Sequence, residues 1–197
     1  MTRHHDAADR KRQVGDALME VVAERGLTRT TLRQVADTAG VSVGLVQRYF
    51  TTKNELLRFG FDYVYQRTRD RINQVPQEPP IREVVLGLGE AILPLDPQRR
   101  RETNVFLAFV HATLNDPDLA DTHQRAATEL VDGLQRALEA ARRNGELKTD
   151  VDTHLEALTL VALLDGLVLD GMATQHLFPE ETLRSLLHRH VDRLFRD

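Results

Sequence analysis

Thr30-Thr-Leu-Arg-Gln-Val-Ala-Asp-Thr-Ala-Gly-Val-Ser-Val-Gly-Leu-Val-Gln-Arg-Tyr-Phe50 reads as two short helices meeting across a tight turn. Thr31 stands where an N-cap belongs, ahead of Leu32 to Ala39. Gly40 ends that helix, and Ser42 is placed to cap a second one running to about Tyr49. Leu32, Val35, Val41 and Val46 supply apolar contacts between the two. Ala36 is small enough for a close crossing, and Gly40 permits the positive φ that the turn requires. The second helix then turns Val43, Gly44, Gln47 and Arg48 outward. Thr31, Arg33, Ser42, Tyr49 and Lys53 at its margins suit phosphate oxygens, a pattern that fits a helix laid in the major groove of double-stranded DNA. Arg48 has the chemistry to read guanine bidentately and Gln47 adenine, each worth about 1 to 3 kcal/mol of discrimination.

Upstream, Val14, Ala17, Leu18, Val21 and Val22 form the stripe of an amphipathic helix that Gly26 closes. Downstream, a helix from about Asn54 carries Leu56, Leu57, Phe61 and Val64 and fades into the proline-rich Asn73–Pro80 stretch. Further helices are expected at about 81 to 93, 97 to 115, 117 to 143, 152 to 174 and 179 to 195. No segment alternates as a strand does. The fold class is therefore all-α, about nine helices: a three-helix head over residues 1–57 and a helical body over 58–197.

Charge changes sign at that boundary. Residues 1–57 hold 9 Lys+Arg and 7 Asp+Glu, so 9 − 7 = +2, while the rest hold 17 and 23, so 17 − 23 = −6. Arg3, Arg10, Lys11 and Arg12 read mainly as a solvated N-terminal tail, contact with DNA being the alternative. With no cysteine among 197 residues, disulfides, thiolate catalysis and cysteine-rich zinc sites are excluded. The N-terminal stretch lacks the apolar segment of a signal peptide. The most apolar run, Leu155 to Leu169, is interrupted by Glu156 and Asp165 and falls short of the roughly 18 residues of a membrane span. A cytoplasmic protein without membrane partner or cofactor is expected.

Gly40-Val-Ser-Val-Gly44 matches the Gly-x-Ser-x-Gly pattern of a hydrolase elbow, but that elbow needs a strand before its serine, and here a helix precedes Ser42. There is no phosphate loop, dinucleotide fingerprint or His-Glu-x-x-His, and His188 and His190 lie two apart on a helix, so their rings diverge. Neither an enzyme nor a metal site is expected.

Thr30-Thr31, Val35-Ala36, Ala39-Gly-Val-Ser42, Tyr49-Phe50 and Lys53-Asn-Glu-Leu-Leu57, ungapped over about 28 residues, resemble the N-terminal signature of TetR-family transcriptional regulators. The resemblance implies a homodimer whose recognition helices enter successive major grooves of a palindromic operator about 34 to 36 Å apart. It also implies a small-molecule effector in the C-terminal region that releases the DNA. Gly44, Tyr49 and Lys53 match the family pattern as DNA-backbone contacts, whereas Val43, Gln47 and Arg48 depart from its commonest choices. Ala108-Phe-Val-His-Ala, Asp116-Pro-Asp-Leu119 and Leu163-Leu-Asp-Gly-Leu167 are similar to a C-terminal subgroup that includes the choline-betaine regulators.

Apolar walls with a few polar groups make Phe61, Tyr65, Phe106, Phe109, Val110, His111, Asp165 and Met172 the candidate effector pocket, with plain core packing as the alternative. Asp165 and Asp170, in an apolar helix, each require a partner, solvent or a proton. The last two helices are the candidate dimer interface, through Leu164, Val168, Leu183, Leu187, Leu194 and Phe195. The rival to a ligand-released repressor is a helical ligand-binding or scaffold protein whose head has lost DNA binding.

Overall fold

The structure is a computed structural model describing residues 2–196, with side chains from Asp9 onward, so Arg3 of the N-terminal tail lies outside the described side chains. Among the described residues there are nine helices: α1 Thr2–Arg29, α2 Leu32–Ala39, α3 Val43–Tyr49, α4 Lys53–Ile72, α5 Ile81–Glu90, α6 Pro97–Thr113, α7 Pro117–Arg143, α8 Thr153–Ala173 and α9 Glu180–Asp192. The all-α reading holds. α1 starts well before Val14 because residues 2–13 contain neither proline nor glycine to stop it. It breaks at Gly26 (φ 74°, ψ 164°), where the Thr30 hydroxyl donates to the freed Gly26 carbonyl at 2.9 Å. Asp96 and Asp116 cap α6 and α7, each followed by a proline at the first helical position, where a missing N–H costs nothing.

Packing divides the chain into two units, Met1–Gln66 with Asn104–His123, and Arg67–Thr103 with Gln124–Asp197. The packing units change over within α4, between Gln66 and Arg67, and α6 and α7 are divided between them as well. The cause lies in the core of the first unit. Phe61 and Phe109, both fully buried, stack at 5.0 Å in a cluster with Val14, Leu18, Val21, Val35, Val46 and Leu56. The middle of α4 and the C-terminal half of α6 therefore fold with the head.

The second unit is built on α9, which packs against α5 and α8. Leu187 sits where a side chain on Gly89 would be, and Leu183 likewise against Gly171. Its polar anchor is Glu102, whose two carboxylate oxygens each accept a 2.6 Å hydrogen bond, from Arg67 and from Arg71. α9 stops at Asp192 rather than near 195. The backbone then extends, Leu147 and Phe195 forming an isolated antiparallel bridge with Lys148 N–H to the Leu194 carbonyl at 2.9 Å.

The residues expected at a dimer interface are already covered within the single chain. Leu164, Val168, Leu183, Leu187, Leu194 and Phe195 are each at most 5% exposed within the single chain, so they build its own core. The face of α8 that remains open carries Leu155, Leu158, Ala162, Gly166 and Leu169, spaced three and four apart. Asp165 lies exposed on the same face, while half-buried Asp170 accepts from the Thr174 hydroxyl at 3.4 Å.

Candidate functional site

The short helix α3 is too small to hold itself together, so its geometry comes from its ends and its floor. The Ser42 hydroxyl accepts from the Leu45 N–H at 3.2 Å and caps it, and Val46 is fully buried beneath it. Ahead of it, Gly40 (φ 64°) closes α2 in a Schellman arrangement, with Val41 N–H to the Ala36 carbonyl at 3.0 Å and Gly40 N–H to that of Asp37 at 3.2 Å. Thr31 and Gln34 form a reciprocal capping box at the start of α2.

A second such box starts α4. Glu55 N–H donates to the Thr52 hydroxyl at 3.1 Å, and the Glu55 carboxylate accepts the Thr51 N–H at 2.6 Å. Thr52-x-x-Glu55 announces this box in the sequence, and its start precedes the expected Asn54.

These caps leave one open face. Gly44, Gln47 and Arg48 are exposed and Val43 half-buried on α3, with Thr31, Arg33 and Ser42 exposed beside them. Tyr49 is half-buried, its ring 6.3 Å from that of the buried Phe50. The Lys53 ammonium donates to the Thr28 carbonyl at 2.7 Å, tying α4 to the end of α1 while retaining two further donors. Gly44 is the informative member. Its φ is not positive, nothing lies within 4 Å of where its Cβ would be, and yet it occupies a helix position that alanine would fill more stably. Nothing inside the chain requires a glycine there. Ser42, meanwhile, is a cap preceded by a helix and a turn, where a hydrolase elbow would have a strand.

Five of the eight expected pocket residues gather in the first unit. Around the Phe61–Phe109 stack, Tyr65 lies 4.9 Å from Phe61 and meets Phe106 edge-on at 5.7 Å, and Val110 packs half-buried against the same core. The structure adds His123, whose ring parallels that of Phe61 at 6.4 Å and whose Nδ1 lies 2.5 Å from the Tyr65 hydroxyl. Its one sequence signal is position, one turn after Leu119 on the buried side of α7. His111 is exposed on α6, which removes it from the cluster. Asp165 and Met172 belong to the second unit, the first exposed and the second half-buried.

The capped, open α3 behind a buried α1–α2 floor defines a helix-turn-helix regulator. Family comparison agrees along the chain: residues 16–58 match "bacterial regulatory proteins, tetR family", and residues 80–196 match "BetI-type transcriptional repressor, C-terminal". The chain belongs to the TetR family of transcriptional regulators, with a C-terminal region of the BetI type. It is 28% identical over 193 residues to the HTH-type transcriptional regulator PksA of Bacillus subtilis, covering 98% of this chain and 93% of that protein. A crystal structure of a transcriptional regulator from Rhodococcus sp. Rha1 superposes with a TM-score of 0.83 at 29% identity, over 93% of this chain and 95% of that one. A regulator from Saccharomonospora viridis, solved in complex with choline, shares the fold at a TM-score of 0.87 and 19% identity, over 96% of this chain and all of that one. Among the described residues no helix is long and apolar enough to cross a membrane.

Proposed function

We infer that this regulator acts in the cytoplasm as a homodimeric repressor, holding a palindromic operator through two copies of α3 and leaving it when a small molecule occupies the α4–α6–α7 cluster. The observation that carries the DNA reading is Gly44, a helix-weakening residue on an exposed face that internal packing does not explain and that a closely approaching sugar-phosphate backbone does. Gln47 and Arg48 are then the base readers, and Thr31, Arg33, Ser42, Val43, Tyr49 and Lys53 the positioning contacts. Phe61, Tyr65, Phe106, Phe109 and Val110 would give an effector apolar walls, with the Tyr65 hydroxyl and His123 as its polar groups. Dimerisation falls to the open face of α8 around Leu155, Leu158 and Leu169, where three exposed leucines on one helix face would otherwise stand in water. A ligand favouring one spacing of the two heads over another shifts the DNA-bound population.

Selection of binding sites from a random duplex library tests this and requires neither the operator sequence nor the ligand. Recovery of an inverted repeat is the expected result. A folded, dimeric protein that enriches no motif at low salt would instead be the helical scaffold with a degenerate head.

A further inference from the structure

Val43 stands in the first turn of α3, half-buried and packed against the core that also holds Val46. At about 100° per residue it lies about 60° around the helix from fully buried Val46 and about 40° from exposed Gln47. One flank of the valine therefore rests on the floor of the motif, and the other borders the open face shared by Gly44, Gln47 and Arg48. Two features hold it still. The Leu45 N–H donates to the Ser42 hydroxyl at 3.2 Å and to the Ser42 carbonyl at 3.0 Å, which sets the turn that carries Val43. A β-branched side chain in a helix also has one strongly preferred rotamer.

A valine side chain has no donor to offer a phosphate, so what Val43 brings to the open face is a rigid apolar surface. In the major groove the apolar mark is the C5-methyl of thymine. Gln47 follows Val43 by one turn, which makes the two side chains neighbours about 5 to 6 Å apart at Cβ. Successive base pairs rise by about 3.4 Å, so the two residues span at most two base-pair steps. Cytosine in place of the thymine would bury its amino group against the valine with no acceptor, which adds rejection to the attraction.

Given the head as a DNA reader, on which this rests, we propose that Val43 is a specificity-determining residue that reads a thymine, its methyls packed on the C5-methyl within two base pairs of the adenine taken by Gln47. Each half-site then carries one thymine recognised without a hydrogen bond. Val43 departs from the commonest choices of the family at this position, so the preference belongs to this chain and its operator. It also gives Val43 a reading part beyond the positioning one.

Uridine scanning of the selected operator with the full-length protein tests this. Each thymine of one half-site is replaced in turn by deoxyuridine, which removes the methyl and keeps every hydrogen-bonding group. One replacement should weaken wild-type binding by about fourfold, the worth of one buried methyl. The same replacement should leave Val43→Ser unaffected, and Val43→Ala, which retains one carbon of the contact and a strong helix former, should show an intermediate loss. Because each variant is compared on two duplexes, the ratio does not depend on how much of it is folded. A wild type indifferent to every uridine overturns the assignment while leaving the head a DNA reader. A sensitive thymine that stays equally sensitive in both variants also overturns it, since another side chain then holds that methyl. A folded, dimeric wild type that enriches no motif overturns the reading of the head itself, and the thymine contact with it.

Discussion

The hydroxyl of Tyr65 on α4 and Nδ1 of His123 on α7 lie 2.5 Å apart, joining two helices over the stacked rings of Phe61 and Phe109. Tyr65→Phe keeps the ring in its edge-on contact with Phe106 and leaves a half-buried imidazole nitrogen without its partner. The expected cost is about 1 kcal/mol in urea unfolding. If the cluster is the effector site, a compound that releases the wild type from DNA should need about a tenfold higher concentration for the variant, the worth of one such bond. An unchanged release midpoint with the stability loss intact would make the pair structural and place the effector elsewhere.

Glu102 makes the fold sensitive to acid. Burial alone would raise its carboxyl, but hydrogen bonds from Arg71 and Arg67 more than reverse that and hold it below the ordinary value of 4.5. A depressed folded pKa contributes stability that is fully present above the unfolded pKa and is lost as pH falls through the folded one. The wild type should therefore lose urea resistance on acidification below about pH 4.5, the ordinary carboxyl value. Glu102→Gln should be weaker at neutral pH by about 3 kcal/mol, since it removes the buried negative charge that both guanidiniums pair with, and should show a flatter profile below that point. A variant as stable as the wild type at pH 7 would sink this account.

Leu155, Leu158 and Leu169 are 59%, 43% and 53% exposed on one face of α8. Replacing Leu158 and Leu169 by glutamate touches little of the chain's own core, so the monomer should melt near the wild-type temperature. Sedimentation at micromolar concentration should then show the wild type as a dimer and the variant as a monomer. A variant that stays dimeric puts the interface on another surface.

The helices were legible because their ends are local chemistry: Thr31, Ser42, Asp96, Asp116 and Gly40 mark them whatever the rest of the chain does. Which apolar face meets which partner is not local. Leu183 and Leu187 look like an interface stripe in sequence, and only the approach of α5 and α8 at Gly89 and Gly171 shows that they are already covered. Leu194 and Phe195 continue the helical spacing of α9, yet the backbone leaves the helix at Arg193 to meet Leu147, a pairing set by residues almost fifty positions away. His123 escaped for the same reason: its partner, Tyr65, lies on α4. The open face of α3 was readable because exposure there follows from the capping and turn residues of the motif itself.

Two glycines separate protein packing from DNA approach. At Gly60 an added Cβ would fall 2.4 Å from Leu18 Cδ2 and 3.2 Å from Phe109 Cζ, inside a core with no slack. Gly60→Ala should therefore destabilise by about 1 to 3 kcal/mol through overpacking. At Gly44 nothing stands within 4 Å, so Gly44→Ala should stabilise the folded protein by about 0.5 to 1 kcal/mol through the lower backbone entropy of the unfolded chain. On the operator the order reverses. The methyl at residue 44 would occupy the space that a phosphate backbone needs, so Gly44→Ala should bind more weakly despite its greater stability. Gly60→Ala should bind in proportion to the fraction that remains folded. Equal operator affinity of Gly44→Ala and wild type, measured well below their melting temperatures, would remove the close-approach argument and leave this glycine unexplained.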